Sequence, residues 1–598
     1  MQTAEHILQA MRKMGEKRTP LERAYRNMFS EDLFLTAYDK IARNKGALTA
    51  GSDERDTVDG MSLDRIQRVI EQLRNERFRF TPVRRVQKPK KNGGFRPLGM
   101  PNFTDKLVQE ALRMVLEAYY EPRFRDCSHG FRHGRGCHTA LGALKYKFKG
   151  AAWFIEGDIR GCFDNIDHQV LMNILARDIQ DGRLLNLIRM SLEAGYLEDW
   201  VYHRTYSGAP QGGILSPLLS NIYLNELDTY IEDVLIPKYT RGKKRAENPF
   251  YRHLNFAISQ ARKRGETEQV KTLERQRRLT PSQNVNDPNF RRLQYIRYAD
   301  DFVLSVIGTK AEAEEIKAAI GTFLKETLHL EMSETKTLIT HARTEHARFL
   351  GYAISVYHKD DKLSSRTGTL IKTRSLNSCV RLGIPMGKVD EYTARYLRGG
   401  KPMPENDLLR FSDATIVNTF QQRFRGVAEY YKYAVDRRRL QKLKYYMEIA
   451  LTKTLASKHK VTVPSIYRKY RSRLEVDGTS YKVLAVEIPG ENRSSYAYWG
   501  GISLRVIPVG QGWIIDRVVR DQLPNRSRSD LIRRLQANRC ELCGAAVKSE
   551  VHHVRKLVDI KRYWQDREKP AWVERMIELR RRTLVVCAKC HEEIHHAA

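Results

Sequence analysis

The stretch LQYIRYADDFVLSVIG, residues 293–308, decides how this chain is read. Two runs rich in β-branched and aromatic side chains flank Asp300 and Asp301. Successive residues of a strand face opposite ways, so neighbouring aspartates converge on one ion only at a turn. The flanking runs predict such a turn. A third carboxylate, Asp158, ends another strand-like run, AAWFIEGDI at 151–159. Three carboxylates gathered at strand ends repel one another unless a divalent cation compensates, and Mg²⁺ suits oxygen ligands and shares them with substrate phosphates. Two such ions about 4 Å apart would clamp an in-line phosphoryl displacement. The competing reading is that each aspartate merely caps a turn.

The rest of the chain fits a polyanionic partner. Among 598 residues, 105 Lys and Arg face 71 Asp and Glu, a formal net charge of +34. An excess of that size points to nucleic acid. Hydrophobic residues make up 41% of the chain, enough to build cores over roughly four domains of ordinary length. No long apolar run or signal-type segment occurs, which disfavours a membrane and predicts a reducing cytosol. Cysteine usage agrees. Cys127, Cys137, Cys162 and Cys379 are scattered, whereas four more form two C-x-x-C pairs near the C-terminus. That clustering predicts a metal site rather than a disulfide framework.

Residues 1 to about 80 read as helical. FTPVRRVQKPKKNGGFRPLGMP (80–101) carries the signal of a hairpin with a basic tip. A helix follows, with Thr104 or Asp105 expected at its N-cap. HARFLGYAISV (346–356) reads as one further strand. Residues 238–292 hold 15 Lys or Arg against 5 acidic residues and read as an insertion, either a solvated charged helix or a nucleic-acid contact. From about 370 to 465 the chain is helical and basic. Arg423, Arg425, Lys432, Lys458 and Lys460 beside Tyr430, Tyr431 and Tyr433 offer charge plus stacking surface, although aromatics at helical spacing are more often core. Residues 466–530 mix Gly, Pro and short β-like runs without a definite shape.

The last block holds NRCELCGAAVKSEVHHV (538–554) and RRTLVVCAKCHEEIHH (581–596). Cys540, Cys543, Cys587 and Cys590 fit a closed tetrahedral Zn²⁺ site, which staples a module too small to rely on its own core. His591 and His595, four apart, share a helix face, and His552 and His553 stand at the expected end of a strand.

These blocks resemble a known family. LQYIRYADDF, EGDIRGCFDNIDH (156–168), GAPQGGILSPLLSNIYLNELD (208–228) and RPLGMPNFTDKLVQEALR (96–113) are similar to the motifs of a reverse transcriptase encoded by a group II intron. SHGFRHGRGCHTAL (128–141) and KTLITHARTEHARFLGY (336–352) fit the same family, in its order. The resemblance implies that Asp158, Asp300 and Asp301 bind two Mg²⁺ ions. It implies that Phe163 closes against the sugar and rejects a 2′-hydroxyl, an ordinary core Phe being the alternative. Gln211 and Gly212 would line the nucleotide or template pocket, and Lys90 and Arg96 would grip the triphosphate. Lys336 is the candidate proton donor to pyrophosphate. FRGVAEYYKYA and TLASKHK resemble the family's maturase region, which holds intron RNA in its splicing-competent form.

The Cys/His block resembles an HNH endonuclease with a zinc-stapled ββα-metal core. That implies a divalent ion on His552, His591 and His595 and a general base at His553. The family's middle Asn is replaced here by Arg582 and Thr583, so the base must be oriented from elsewhere; a zinc ribbon that only binds DNA is the alternative.

The expected architecture is multidomain α+β. It comprises reverse transcriptase fingers and palm at 1–365, a helical thumb or maturase region at 366–465, a DNA-binding region at 466–530 and an HNH domain at 531–598. The expected partners are group II intron RNA, double-stranded target DNA and deoxynucleoside triphosphates, with a homodimer left open, in a bacterial cytoplasm at the nucleoid. Two rivals stand beside this reading. A splicing maturase without polymerase activity is opposed by the intact aspartates. A reverse transcriptase of another retroelement class is opposed by the maturase-like helices and the HNH block.

Overall fold

The computed structural model describes residues 3–597 apart from 45, 90–92, 199–200, 206, 209–211, 285–286, 359–363, 366–371, 374–377, 490–493, 508–529 and 565–566. The N-terminal region folds into the helices Ala4–Glu16, Glu31–Ala42 and Leu63–Arg74. Each starts at a hydroxyl cap: Thr3, Ser30 and Ser62 accept the amides of His6, Leu33 and Arg65. Their apolar faces share a core with the long helix Phe103–Tyr120. The expected cap of that helix is displaced. Asn102 stands at the cap position, the Asp56 carboxylate takes the Thr104 amide, and Asp105 turns inward to accept the amide of Thr81.

The basic hairpin pairs Val83–Pro89 with Phe95–Met100, Lys88 opposite Arg96. The chain then builds a four-stranded antiparallel sheet in the order Arg292–Tyr298, Asp301–Ile307, Trp153–Asp158, Leu338–His341. Its inner strands are apolar on both faces, as expected where helices cover a sheet. The stretch 346–356 is a hairpin rather than one strand. Ala347–Phe349 turns back on Tyr352–Val356 through Leu350 and Gly351, both at positive φ.

The basic insertion forms a helical hairpin, Pro249–Lys263 and Thr267–Leu279, and the second helix buries no residue. Beyond the sheet, the helices Asp413–Tyr430, Leu440–His459 and Val463–Tyr470 share a core with a three-stranded sheet, Arg471–Val476, Thr479–Ile488 and Ser495–Trp499. Trp499 seats there, its indole N–H donating to Glu448. Tyr431 and Tyr433 are core residues at 1% and 0% exposure. Lys458 is bound to Asp413 and Arg423 to Glu405, which leaves Arg425 and Lys460 as the exposed cations of that group.

The two ends of the chain meet. Ser549–His553 lies between Thr583–Cys587 and the short strand Met61–Ser62 in one antiparallel sheet. Leu531, Ile532, Leu535, Val551 and Val585 belong to the same core as the N-terminal helices. No helix among the described residues is long and apolar enough to cross a membrane.

Candidate active sites

Asp301 stands directly across from Asp158 in the sheet register, and Asp300 occupies the two-residue turn between Tyr298 and Asp301. Ala299 takes φ 57°, a left-handed conformation that reverses the chain sharply enough to bring both aspartates to one edge. The sheet therefore gathers the three carboxylates the sequence singled out. Burial, then the charges of Asp300 and Asp158, push Asp301 up to about 6. Burial and Asp158 raise Asp300 as well. Burial and neighbouring like charge both disfavour the ionised carboxylates, and a divalent cation relieves both. Lys336 answers part of it, its ammonium 2.9 Å from Asp158 Oδ2, and that contact raises its own pKa. A cavity opens beside them, lined by Asp158, Asp300, Gly161, Lys325, Met332 and Lys336.

Beneath the turn lies a polar network that sequence reasoning missed. Arg297 and Asp228 form a fully buried ion pair, with Nε to Oδ1 at 2.8 Å and Nη2 to Oδ2 at 2.6 Å. Nη1 of Arg297 donates to the carbonyl of Ala299 at 2.9 Å and to Asn221, and Nη2 donates to Ser128. Gly130 packs its backbone against the same turn. A Cβ there would sit 2.3 Å from the Ala299 nitrogen. The signal was available: an arginine in the middle of an apolar strand is costly unless a carboxylate meets it.

Phe163 is half-buried and meets Phe131 edge-on, with centroids 6.0 Å apart, so it is not an ordinary core residue. Arg96 is exposed on the hairpin, and its charge reaches Asp300, where it opposes the upward shift. Gly212 takes φ 115°, and a Cβ there would lie 2.4 Å from the carbonyl of Gly99. Only glycine fits that approach to the hairpin. Lys90 and Gln211 lie outside the described residues.

The second site lies at the C-terminal block. The sulfurs of Cys540, Cys543, Cys587 and Cys590 converge, with Cys543 and Cys587 at 3.8 Å. Zinc–sulfur bonds of about 2.3 Å demand tetrahedral edges of about 3.8 Å. Although burial works against it, backbone N–H groups led by that of Cys543 bring Cys540 down to about 7, toward the thiolate a metal needs. The donor set fits zinc.

His552, His591 and His595 also converge, but with a fourth member, Asp59. His591 Nδ1 is bonded to Glu550 at 2.6 Å, which turns Nε2 toward the cluster. Despite the opposing effect of burial, hydrogen bonds to Asp59 and Glu550 lift His591 to about 9. His553 stands outside the cluster. Burial lowers it to about 4, so at neutral pH its imidazole is uncharged, as a base must be. Its Nε2 shares a hydrogen bond of 2.9 Å with the Tyr38 hydroxyl, and its amide donates to Asp59. Thr583 lies opposite His553 in the register, the neighbourhood where the family's Asn was missed.

Comparison with known proteins finds a family for each of three regions of the chain. Residues 88–354 match the reverse transcriptase (RNA-dependent DNA polymerase) family, residues 386–486 the type II intron maturase family, and residues 540–591 the AI2M/AI1M-like HNH endonuclease family. The chain is 39% identical over 604 residues to the group II intron-encoded protein LtrA of Lactococcus lactis subsp. cremoris, covering 96% of each chain. It belongs to the group II intron-encoded proteins. Further relatives include an uncharacterized 91 kDa protein in a cob intron of Schizosaccharomyces pombe, 33% identical over 95% of this chain and 69% of that one. Nuclear intron maturase 1, mitochondrial, of Arabidopsis thaliana is 24% identical over 60% of this chain and 57% of that one. This intron-encoded protein is therefore an RNA-directed DNA polymerase that also carries maturase and HNH endonuclease domains.

Proposed function

We propose that the protein copies intron RNA from the carboxylate site on the four-stranded sheet and nicks target DNA from the histidine site, so that the nick primes synthesis during intron homing. The observation that carries this is the convergence of Asp158, Asp300 and Asp301 at one sheet edge, where burial and then the neighbouring carboxylates raise two of them. The sheet serves as the palm, the N-terminal helices and basic hairpin as fingers, and the helices Asp413–Tyr430 and Leu440–His459 as the thumb of the maturase region. Residues 1–365, 366–465, 466–530 and 531–598 are the corresponding divisions; 508–529 fall outside the described residues.

Asp158, Asp300 and Asp301 would hold two Mg²⁺ ions, which when bound activate the primer 3′-hydroxyl and steady the leaving pyrophosphate. Around them the chain's own groups select and hold the deoxynucleoside triphosphate. Arg96, with Lys90, binds the triphosphate; Phe163 bars a 2′-hydroxyl; Gly212, with Gln211, leaves room for the template base. Lys336, already against Asp158, gives a proton to the departing pyrophosphate. Zn²⁺ on the four cysteines would hold the nuclease fold. A divalent ion on His552, His591 and His595 would polarise the scissile phosphate, with His553 taking the proton of the attacking water.

The partners are the intron RNA, bound as a ribonucleoprotein, and double-stranded target DNA, with action in the cytoplasm at the nucleoid. The test uses the protein with the intron RNA that copurifies with it. Asp300→Asn should abolish primer extension and leave splicing intact, because RNA binding rests on other surfaces. Splicing lost together with extension would overturn the separation of the two roles.

A further inference from the structure

Asp59 comes from the loop between the second and third N-terminal helices, yet it lies inside the histidine cluster. Its Oδ2 is 2.8 Å from His595 Nε2 and 3.3 Å from His591 Nε2, and its Oδ1 is 3.4 Å from His552 Nδ1. The imidazoles are spaced alike, 3.2 Å between His552 and His591 and 3.3 Å between His591 and His595. One carboxylate oxygen faces two of the imidazoles and the other faces the third, so Asp59 closes the cluster on the side the histidines leave open, and all four residues can offer a ligand atom to one ion.

The loop is fixed there by more than charge. Gly60 N–H donates to the carbonyl of Val551, and Met61 and Ser62 pair with Val551 and Glu550. Ser62 thus adjoins the very carboxylate that orients His591. Val551 and Val585 pack in the core of the N-terminal helices.

Metal sites with four protein ligands are closed, whereas a catalytic ion keeps a position for substrate. Here the fourth position goes to an anionic oxygen, which is what a scissile phosphate would bring. The Tyr38 hydroxyl occupies a ring nitrogen of His553 in the same way. Resting on the nuclease reading of the three histidines, we infer that Asp59 is a fourth ligand of the nuclease ion, an internal stand-in for the DNA phosphate that must be displaced before the strand is cut. With an ion bound, Asp59 and the three histidines would tie the two ends of the chain together, and an entering DNA phosphate would compete with the Asp59 carboxylate for its place. A ligand shifts such an equilibrium only through its preference for one state, and the DNA phosphate supplies that preference.

The experiment uses the full-length, zinc-loaded protein, with Mn²⁺ as the probe. His591→Ala should remove one Mn²⁺-binding event seen by titration calorimetry. Asp59→Asn, nearly the same shape, should weaken that event by at least the roughly tenfold that loss of a supporting group costs. In hydrogen exchange, Mn²⁺ should slow the amides of 549–553 and 60–62 in the parent protein and not in Asp59→Asn. Single-turnover nicking by Asp59→Asn at saturating Mn²⁺ should be faster than by the parent, and Tyr38→Phe, which keeps the packing, should nick faster without a change in Mn²⁺ affinity. Unchanged Mn²⁺ affinity in Asp59→Asn, or slower nicking at saturation, overturns the inference. If His591→Ala keeps both the Mn²⁺ event and nicking, the nuclease reading itself falls, and this inference with it.

Discussion

Arg297 and Asp228 face each other through two hydrogen bonds with neither side chain exposed, and the same guanidinium holds the carbonyl of Ala299. The catalytic turn thus rests on a buried ion pair, not on its own strand ladder alone. Burial works against the Arg297 charge, but Asp228 outweighs it and raises the guanidinium's pKa.

Removing one partner strands a charge in the core, a cost of about 3–5 kcal/mol. Asp228→Asn should therefore lower the unfolding free energy measured by urea denaturation by that amount and reduce primer extension, since Arg297 also sets the Ala299 backbone. Asp228→Leu with Arg297→Met should destabilise less than the sum of the single changes. Additive effects in the double-mutant cycle would mean that the pair does not act as a unit.

Asp301 links stability to pH with a definite sign. Its folded pKa, about 6, exceeds its ordinary 3.8, so between those values the folded protein holds the proton more tightly than the unfolded chain. Stability from this group is present below about pH 4 and lost as pH rises through 6. Asp301→Asn, which cannot ionise, should raise stability in chelator at pH 7.5. Neighbouring protein crowds the Asp301 carboxyl, but the residue as a whole keeps access to solvent, and screening trims the gain to about 1 kcal/mol. The same variant should lose primer extension and any Mg²⁺-dependent rise in Tm. A lower Tm in chelator would show that the three carboxylates do not strain the ion-free site.

Phe163 makes a separate prediction about sugar choice. It is half-buried and braced edge-on by Phe131, so shortening it opens space toward the surface rather than a sealed core cavity. Phe163→Val should raise ribonucleotide incorporation relative to deoxyribonucleotide by roughly tenfold or more, the scale on which a methylene-sized clash discriminates. Competition between the two triphosphates in primer extension measures it. Unchanged discrimination with retained activity would remove Phe163 from the role of gate.

What was legible in the sequence was local. Asp300 and Asp301 announced themselves because a turn between two β-rich runs is a short-range pattern, and the C-x-x-C pairs because metal chelation fixes their spacing. The Arg297–Asp228 pair was half legible: the misplaced arginine was visible, while its partner lay 69 residues away. Asp59, Tyr38 and Glu550 were not legible at all. Asp59 and Tyr38 reach the histidines only because the chain's ends share a core, and contacts at such separation leave no periodicity to read. Tyr431 and Tyr433 show the converse. Their place among lysines and arginines suited an RNA surface equally well, and burial decided for the core.

The two halves of the C-terminal block should fail in different ways. Cys543 is exposed, but its sulfur lies 3.8 Å from that of Cys587 within the four-sulfur cluster, and zinc binding in such a module is folding free energy. Cys543→Ser should lose stoichiometric zinc and make the chain from about Leu531 onward sensitive to protease. Because Val551 and Val585 pack against the N-terminal helices, that loosening should spread as faster amide exchange at Met61 and Ser62, while the carboxylate sheet stays protected. His553→Ala should keep zinc, since the imidazole belongs to neither cluster, and should keep the sheet, since its amide still donates to Asp59. It should fail to nick the target strand yet still extend a supplied primer. Zinc loss in His553→Ala would contradict the ligand assignment, and nicking at the parent rate would place the base on another residue.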